Sequence, residues 1–469
     1  MSEATAAQSA GADLLIVGGT VVTMNPSREL LSGAAIAIRG DVVADIDSIS
    51  AMRARFPGTS EIDATDCVVT PGLVNAHQHL SGDRFMRSSI PDDTPSGEAI
   101  FGWVQPMHAA HSPADDELSA MLTCMESIAN GVTTVVAAGT EAYPVQIAAG
   151  MRAVGIRGIV GTWGWDELSG PFKQPIDDIL EIQREVVESL RDDRLLSGWV
   201  TLIGHNLVSD DLFVRGSELA RELGVGLSFH MSPTVSDVAA YRERSGERPL
   251  VHLGRLGVLG PHVLVGHAVH IDDDEVEALV KSKAAVAYCP WAYLRLGQGV
   301  TRAGRHSELL RRGVRVALGC DSENASDSLD ILRAAALCAG IAKDMAVDTG
   351  ELGAHGAFEM ATIGGAEAIG LGAVIGSIEV GKAADLVVHE CTGPQWNPRA
   401  RDVVQQLVWA SDGRSVRDVI VAGQPVLRDR TFVNVDAAAV YSQVASAAEV
   451  VRAKAGITPA CRWPERSFD

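Results

Sequence analysis

The sequence predicts an α/β protein, a (β/α)₈ barrel with a small β-sandwich built from both chain ends. Three observations carry this. Residues 71–370 alternate short, almost wholly apolar runs with polar stretches of helical pattern. Residues 1–70 and 371–435 have another texture, β-branched runs cut by Gly and Asp. Histidines and one aspartate fall at the ends of the apolar runs in the middle segment.

In chain order, residues 1–12 are small and polar and are expected to fray. DLLIVGGTVVTM, GAAIAIRGDVVADI and CVVTPGLV then read as a strand meander. The middle supplies GLVNAH, TTVVAA, IRGIVG, WVTLIG, GLSFH, VLVGH, AVAYCP and VRVALGCD as strands, each followed by a polar or helix-like stretch. Apolar strands with helical crossovers make a parallel sheet buried on both faces. Eight of them fit a closed barrel, although a doubly wound open sheet satisfies the periodicity alone. GSIEVGKAADLVVHE and RDVIVAGQPVLRD return to short strands with Gly or Asp turns. Segments 1–70 and 371–435 are therefore expected to form one composite β domain beside the barrel of 71–370. Residues 436–469 read as a C-terminal helix and a polar tail.

Composition narrows the function. Over 469 residues, 46% apolar and 21% charged content argues for a large core and against extended disorder. A net charge of −21 argues against nucleic acid or anionic membrane as partner, since both demand a basic face. The plain reading of this acidity is a solvated surface. Seven scattered cysteines without a CxxC read as reduced thiols. The first residues lack a basic segment followed by an apolar one, and no apolar run reaches membrane-spanning length. The cytoplasm is the expected compartment.

The decisive pattern is positional. Chemistry on a parallel barrel collects at the C-terminal ends of its strands. His77 and His79 close the first apolar run, His205 the fourth, His230 the fifth, His267 the sixth and Asp321 the eighth. Residues i and i+2 of a strand share a face, so His77 and His79 point the same way. Two imidazoles so placed suit a borderline cation such as Zn²⁺. Asp321 can ligate that cation and accept a proton from its water. A single histidine of this kind is ordinarily a satisfied core residue. The shared register of the set argues against that reading.

These residues resemble the amidohydrolase superfamily. PGLVNAHQHL at 71–80 looks like its first-strand signature, in the flavour of the deaminase and s-triazine chlorohydrolase branch. HMSP at 230–233, GHAVH at 266–270, CPWAYLRLGQG at 289–299, LGCDSENASD at 318–327 and GSIEVGKAADLVV at 376–388 follow in order. The resemblance implies one divalent metal on His77, His79, His230 and Asp321. Zn²⁺ is the first expectation, and Fe²⁺ or Mn²⁺ suits the same donors. It also implies that His267 contacts the water or the leaving side of the substrate, and that His205 binds substrate. Two-metal relatives carry a carboxylated lysine at the end of the fourth strand, and WVTLIGHN offers none.

The chain departs from the branch at three places. Where relatives carry His-x-x-Glu on the fifth strand, it has Pro233, which cannot relay a proton. Where they carry Pro-x-Ser-Asn after the seventh, it has Pro290, Trp291, Ala292 and Tyr293. After Asp321 stand Ser322, Glu323 and Asn324, where small residues are usual. Glu323 is thus a candidate replacement acid, with a helix cap or an arginine pair as its structural alternative. General acid–base help from one group is worth roughly 10²–10⁴ in rate, and its loss hurts a poor leaving group most.

Trp163, Trp291 and Tyr293 follow strands three and seven and are candidates to stack on a flat ring. Glu141, after strand two, is a candidate substrate contact. Arg84 and Arg87 are read as salt-bridge formers, and His108 and His111 as non-ligands before a helix that Ser112 caps and Pro113 opens. His267 is preferred to its neighbour His270 because it ends the apolar run directly.

The expected activity is hydrolysis at an sp² carbon of a nitrogen heterocycle or amidine-like group by metal-activated water, with deamination as the leading outcome. Hydrolytic dehalogenation and cyclic amide hydrolysis are the alternatives within that fold. A non-catalytic metal-binding protein is the alternative outside it. Asp321 would shuttle the proton and His267 would stabilise developing charge. The expected partner is a small-molecule heterocycle, and the expected assembly a homo-oligomer, dimer or higher.

Overall fold

The computed structural model describes residues 11–459 and 461–467; residues 1–10, 460 and 468–469 lie outside the described set. The barrel strands are Leu73–Gln78, Val132–Ala137, Arg157–Val160, a fourth strand in two pieces (Leu196–Gly198 and Val200–Gly204), Leu227–Met231, Val263–His267, Ala285–Tyr288 and Val316–Leu318. Every neighbouring pair is parallel. The fourth strand breaks at Trp199, whose amide still bonds to Val160 O (3.0 Å), while Val200 N bonds to Gly226 O (3.1 Å). This one strand therefore serves the four-stranded and the five-stranded halves. The ring closes between strands eight and one. Cys320 N bonds to Asn75 Oδ1 (3.1 Å), and Asp321 N bonds to His77 O (2.9 Å).

Helices follow the strands and bury apolar faces against them. Pro113–Ala129 shows how local chemistry places one. Ser112 caps it, Asp115 completes a capping box, and Pro113 supplies the fixed φ of a first helical residue. Its inner face buries Ala120, Cys124, Met125 and Ile128 in the main core.

Two further sheets stand beside the barrel, and one of them combines the chain ends. One, in the order Val42–Ser48, Ala34–Arg39, Leu14–Val17, Ser60–Asp63, is N-terminal throughout. The other has seven strands, and its centre pairs Cys67–Pro71 antiparallel with Leu386–Glu390. Ile16, Ile36, Ile62 and Val69 pack with Leu386, Val388 and Ile420 in one buried cluster between the sheets, which makes a β-sandwich. A buried bidentate pair ties it to the barrel. Arg157, which opens the third strand, reaches Asp385 at 2.7 and 3.1 Å, and Asp385 also accepts from Ala422 N at 2.7 Å. The helix Ala437–Ala455 packs on Gln105–Ala110 and Pro113–Ala129. No helix among the described residues is long and apolar enough to cross a membrane.

Candidate metal centre and active site

The strand ends converge on one buried cluster. His79 Nε2 lies 3.2 Å from Asp321 Oδ1 and 3.4 Å from His230 Nε2. His77 Nε2 is 3.8 Å from Asp321 Oδ1, and His267 Nδ1 is 4.0 Å from Asp321 Oδ2. Backbone conformation aims several of these side chains. His205, Ser232, His267, Ala268 and Asp321 all have φ between +50° and +82°, a region costly for any residue with a Cβ. The consequence is clearest at His267. A Cβ on Gly266 would meet the His77 ring at 3.1 Å, so position 266 faces the barrel axis. Strand alternation alone would turn His267 outward; its φ of +82° swings the ring back, to a centroid separation of 5.2 Å from His77. Gly204 is needed where it stands, since a Cβ there would fall 2.0 Å from His230 O.

The donors suit a divalent cation. His230 Nδ1 donates to Ile203 O at 2.8 Å, which leaves the Nε2 lone pair toward the cluster. His79 Nδ1 pairs with Thr140 Oγ1 at 2.8 Å. Neither ring nitrogen of His77 has a hydrogen-bond partner, although both are buried. Burial pushes His77 down to about 3 and His267 to about 4, and holds His230 well below the ordinary range. Burial opposes the charge on Asp321, but the hydrogen bond from His79 and the surrounding imidazoles outweigh it and hold the carboxyl well below its usual value. His77, His230 and His267 are thus neutral at neutral pH and Asp321 is ionised, the protonation states a metal requires of them.

His205 stacks on His230 with ring centroids 5.7 Å apart. Its Nδ1 is held by Asp237 Oδ1 at 2.9 Å, and Asp237 Oδ2 accepts from Ser232 N at 2.8 Å. Burial opposes protonation of His205, yet Asp237 outweighs it and raises the imidazole. Glu141 is fully buried beyond strand two; the Leu80 amide and its own lie near the carboxyl, but neither oxygen makes a well-formed hydrogen bond. Burial raises it to about 7, against the pull of His79. Trp163 stacks on Phe172 (4.3 Å, 3°) and stands edge-on to His108 (5.7 Å).

Three expected site residues lie elsewhere. Glu323 does not deliver an acid to the cluster. Its oxygens accept from Thr123 Oγ1 (2.7 Å) and Gln78 Nε2 (3.3 Å), with Arg84 3.6 Å away, so it ties the first strand to the helix Pro113–Ala129. Tyr293 sits behind His267 rather than in the pocket. Its hydroxyl is 3.3 Å from His267 Nδ1 and donates to Ala287 O at 3.3 Å. Trp291 turns outward beneath the Arg333 guanidinium, 4.5 Å away on the helix Ile331–Ala346. Arg84 and Arg87 both pair with Glu126, and His270 Nε2 is bound to Gln298 O at 2.7 Å.

Sequence reasoning missed Asp237, Thr140, His306 and Cys289. His306 Nε2 donates to His267 O at 2.7 Å and braces that left-handed residue. Cys289 carried a usable signal, for it ends the seventh apolar run just as His267 ends the sixth.

Inward imidazoles and a carboxylate at the mouth of a (β/α)₈ barrel define a metal-dependent hydrolase. Residues 68–426 match the amidohydrolase family. The chain belongs to that family, and its chemistry is hydrolysis of carbon–nitrogen bonds other than peptide bonds. It is 31% identical over 444 residues to the 5-methylthioadenosine/S-adenosylhomocysteine deaminase of Syntrophobacter fumaroxidans, covering 95% of this chain and 99% of that one. It is 33% identical to the enzyme of the same name from Halobacterium salinarum, covering 89% and 95%. Among solved structures, an adenosine deaminase from Xanthomonas campestris with bound zinc superposes with a TM-score of 0.89 at 29% identity, covering 94% and 99%. An atrazine chlorohydrolase from Arthrobacter aurescens, at 21% identity and TM-score 0.82, covers 93% and 100% and shares the fold.

Proposed function

We propose that the chain deaminates an adenosine-type purine nucleoside, 5′-methylthioadenosine or S-adenosylhomocysteine first among candidates, with one Zn²⁺ on His77, His79, His230 and Asp321. The observation that carries this is the convergence of those four side chains with His267 at the strand ends, beside a fully buried carboxylate, Glu141, whose oxygens await a donor. The names of the relatives supply the purine.

A divalent ion on these residues would supply an activated water, whose pKa such ions lower toward about 7. Asp321 would offer a carboxylate oxygen to hold the proton released. His267, fixed at Nδ1 beside Tyr293, stabilises the charge that develops at the attacked carbon's substituent. His205, fixed at Nδ1 by Asp237, offers Nε2 to the substrate ring. Glu141 accepts from hydroxyl or N–H groups of the substrate, and Trp163 with Phe172 walls the same side. Pro233 leaves the fifth strand without an acid, and Asp237, the carboxylate that follows it, is already engaged. This favours a second reading, displacement of a better leaving group.

Further parts of the proposal are a cytoplasmic location and a homo-oligomer. Six buried, unpaired cysteines support the first, and exposed Ile100, Phe101 and Trp463 support the second.

The test is a panel of adenosine, 5′-methylthioadenosine, S-adenosylhomocysteine, guanine and a chlorinated s-triazine, with ammonia and chloride both measured. Ammonia from the adenine nucleosides, lost in Asp321→Asn, is expected. Chloride without ammonia would favour the second reading. No turnover on any substrate by zinc-loaded protein would favour a binding role.

A further inference from the structure

Two donor sets overlap at the strand ends. His77, His79 and His230 form one. His77, His267, Cys289 and Asp321 form the other, with one ligand atom of each residue within 4.8 Å of the rest and all four side chains buried. Cys289 directly follows the seventh strand, and its sulfur lies inside the ring. A Cβ on Gly319 would fall 2.9 Å from Cys289 Sγ and 2.8 Å from His77 Cβ, so glycine at 319 is what lets strands one, seven and eight bring sulfur and imidazole together. The other six cysteines fall in no such cluster among the described residues.

We propose that Cys289 gives this centre a second, sulfur-bearing coordination pocket, His77–His267–Cys289–Asp321, that takes a thiophilic divalent cation such as Cd²⁺. The inference rests on the reading of the strand-end cluster as a metal centre. Sulfur selects soft cations, whereas imidazole and carboxylate suit Zn²⁺. As the metal–sulfur bond forms, the thiol proton leaves to solvent. Both pockets need His77 and Asp321, so they exclude each other. A soft cation drawn toward strands seven and eight engages His267 and Asp321 and leaves His79 and His230 without it. The pocket is thus a built-in site of inhibition by soft metals.

The experiment titrates metal-free, full-length protein with Cd²⁺, and separately with Zn²⁺, under a phosphine reductant that carries no thiol. A sulfur-to-cadmium charge-transfer absorption saturating at one ion per chain is expected. Cys289→Ser should remove it and weaken Cd²⁺ binding about tenfold or more, while Zn²⁺ still binds with affinity within about threefold. Cys461→Ser, at the exposed thiol, should leave it intact. The cadmium NMR shift of the unmodified protein gives the same answer should Cys289→Ser not fold, because sulfur moves that resonance far from its nitrogen–oxygen range. Zn²⁺ bound with no sulfur signature for Cd²⁺, or a signature that survives Cys289→Ser, overturns the inference and leaves the metal centre standing. Failure to bind either ion removes the metal centre, and the inference with it.

Discussion

Glu141 is the residue whose ionisation the fold resists most openly. It is fully buried with both oxygens unpartnered, and burial raises it to about 7, against about 4.3 for a glutamate in an unfolded chain. Between those values the folded state holds a proton that the unfolded chain has released, so stability falls as pH rises through the window. The gap is worth about 4 kcal/mol, as an upper value, once Glu141 is ionised. Glu141→Gln should therefore gain melting temperature over the unmodified protein as pH goes from about 4.5 to 8, measured in chelator so that no cation stands near His79. A difference that does not change with pH would show that Glu141 finds partners on ionisation. Such a carboxylate makes sense beside a substrate that supplies the missing donors, the role proposed for it above.

Among elements, the third barrel strand carries the joint to the sandwich. Arg157 is mostly buried and grips Asp385 with two hydrogen bonds, and Asp385 in turn fixes the Ala422 amide. Removing one partner of a buried pair leaves a charge without compensation, at roughly 3–5 kcal/mol. Arg157→Met is expected to destabilise by that order in denaturant unfolding. Arg157→Met with Asp385→Asn should recover part of the loss. Equal losses in single and double variants would mean that packing, not the pair, holds the joint. This joint was not legible in the sequence, where Arg157 and Asp385 stand 228 positions apart with nothing to link them. What was legible had a local cause. The strands announced themselves by unbroken apolar runs, and the helix Pro113–Ala129 by Ser112 and Pro113. The convergence of His77, His79, His230, His267 and Asp321 followed from a single rule, that strand ends share a rim. Glu323, Tyr293 and Trp291 went astray because that rule places the backbone and not the rotamer. Two residues past Asp321, the chain has already turned toward Thr123. The left-handed φ values at His205, His267 and Asp321 had no sequence signature, since none of them is glycine.

For the whole molecule, these burials set how it meets acid. His77 and His389 are pushed down to about 3 and His267 and His306 to about 4, all by burial, and His230 lies well below its ordinary value for the same first reason. In the unfolded chain each takes up a proton near pH 6.5. Below that value the unfolded state binds more protons than the folded one, so stability rises with pH across the window and is lost as pH falls. At pH 5 each such histidine costs about 2 kcal/mol, as an upper value. Glu141 pulls the other way, and so do His205, Glu275 and Asp330, which are also raised, but among these only Glu141 is shifted as far as the five histidines. The metal-free protein should therefore lose melting temperature steeply between pH 7 and 5, although its acidic residues remain largely ionised there. Zn²⁺ should raise the whole curve, since an ion that binds only the folded state adds about 2.7 kcal/mol at a hundredfold excess over its Kd. It should also persist below pH 6, because buried imidazoles near 3 and 4 take up protons too weakly to release it. Thermal melts in chelator and in Zn²⁺, with metal content measured after dialysis at pH 5.5, test both halves. A flat curve in chelator would mean that the buried histidines are solvated in solution, and loss of metal at pH 6.5 would mean that the cluster opens before it protonates.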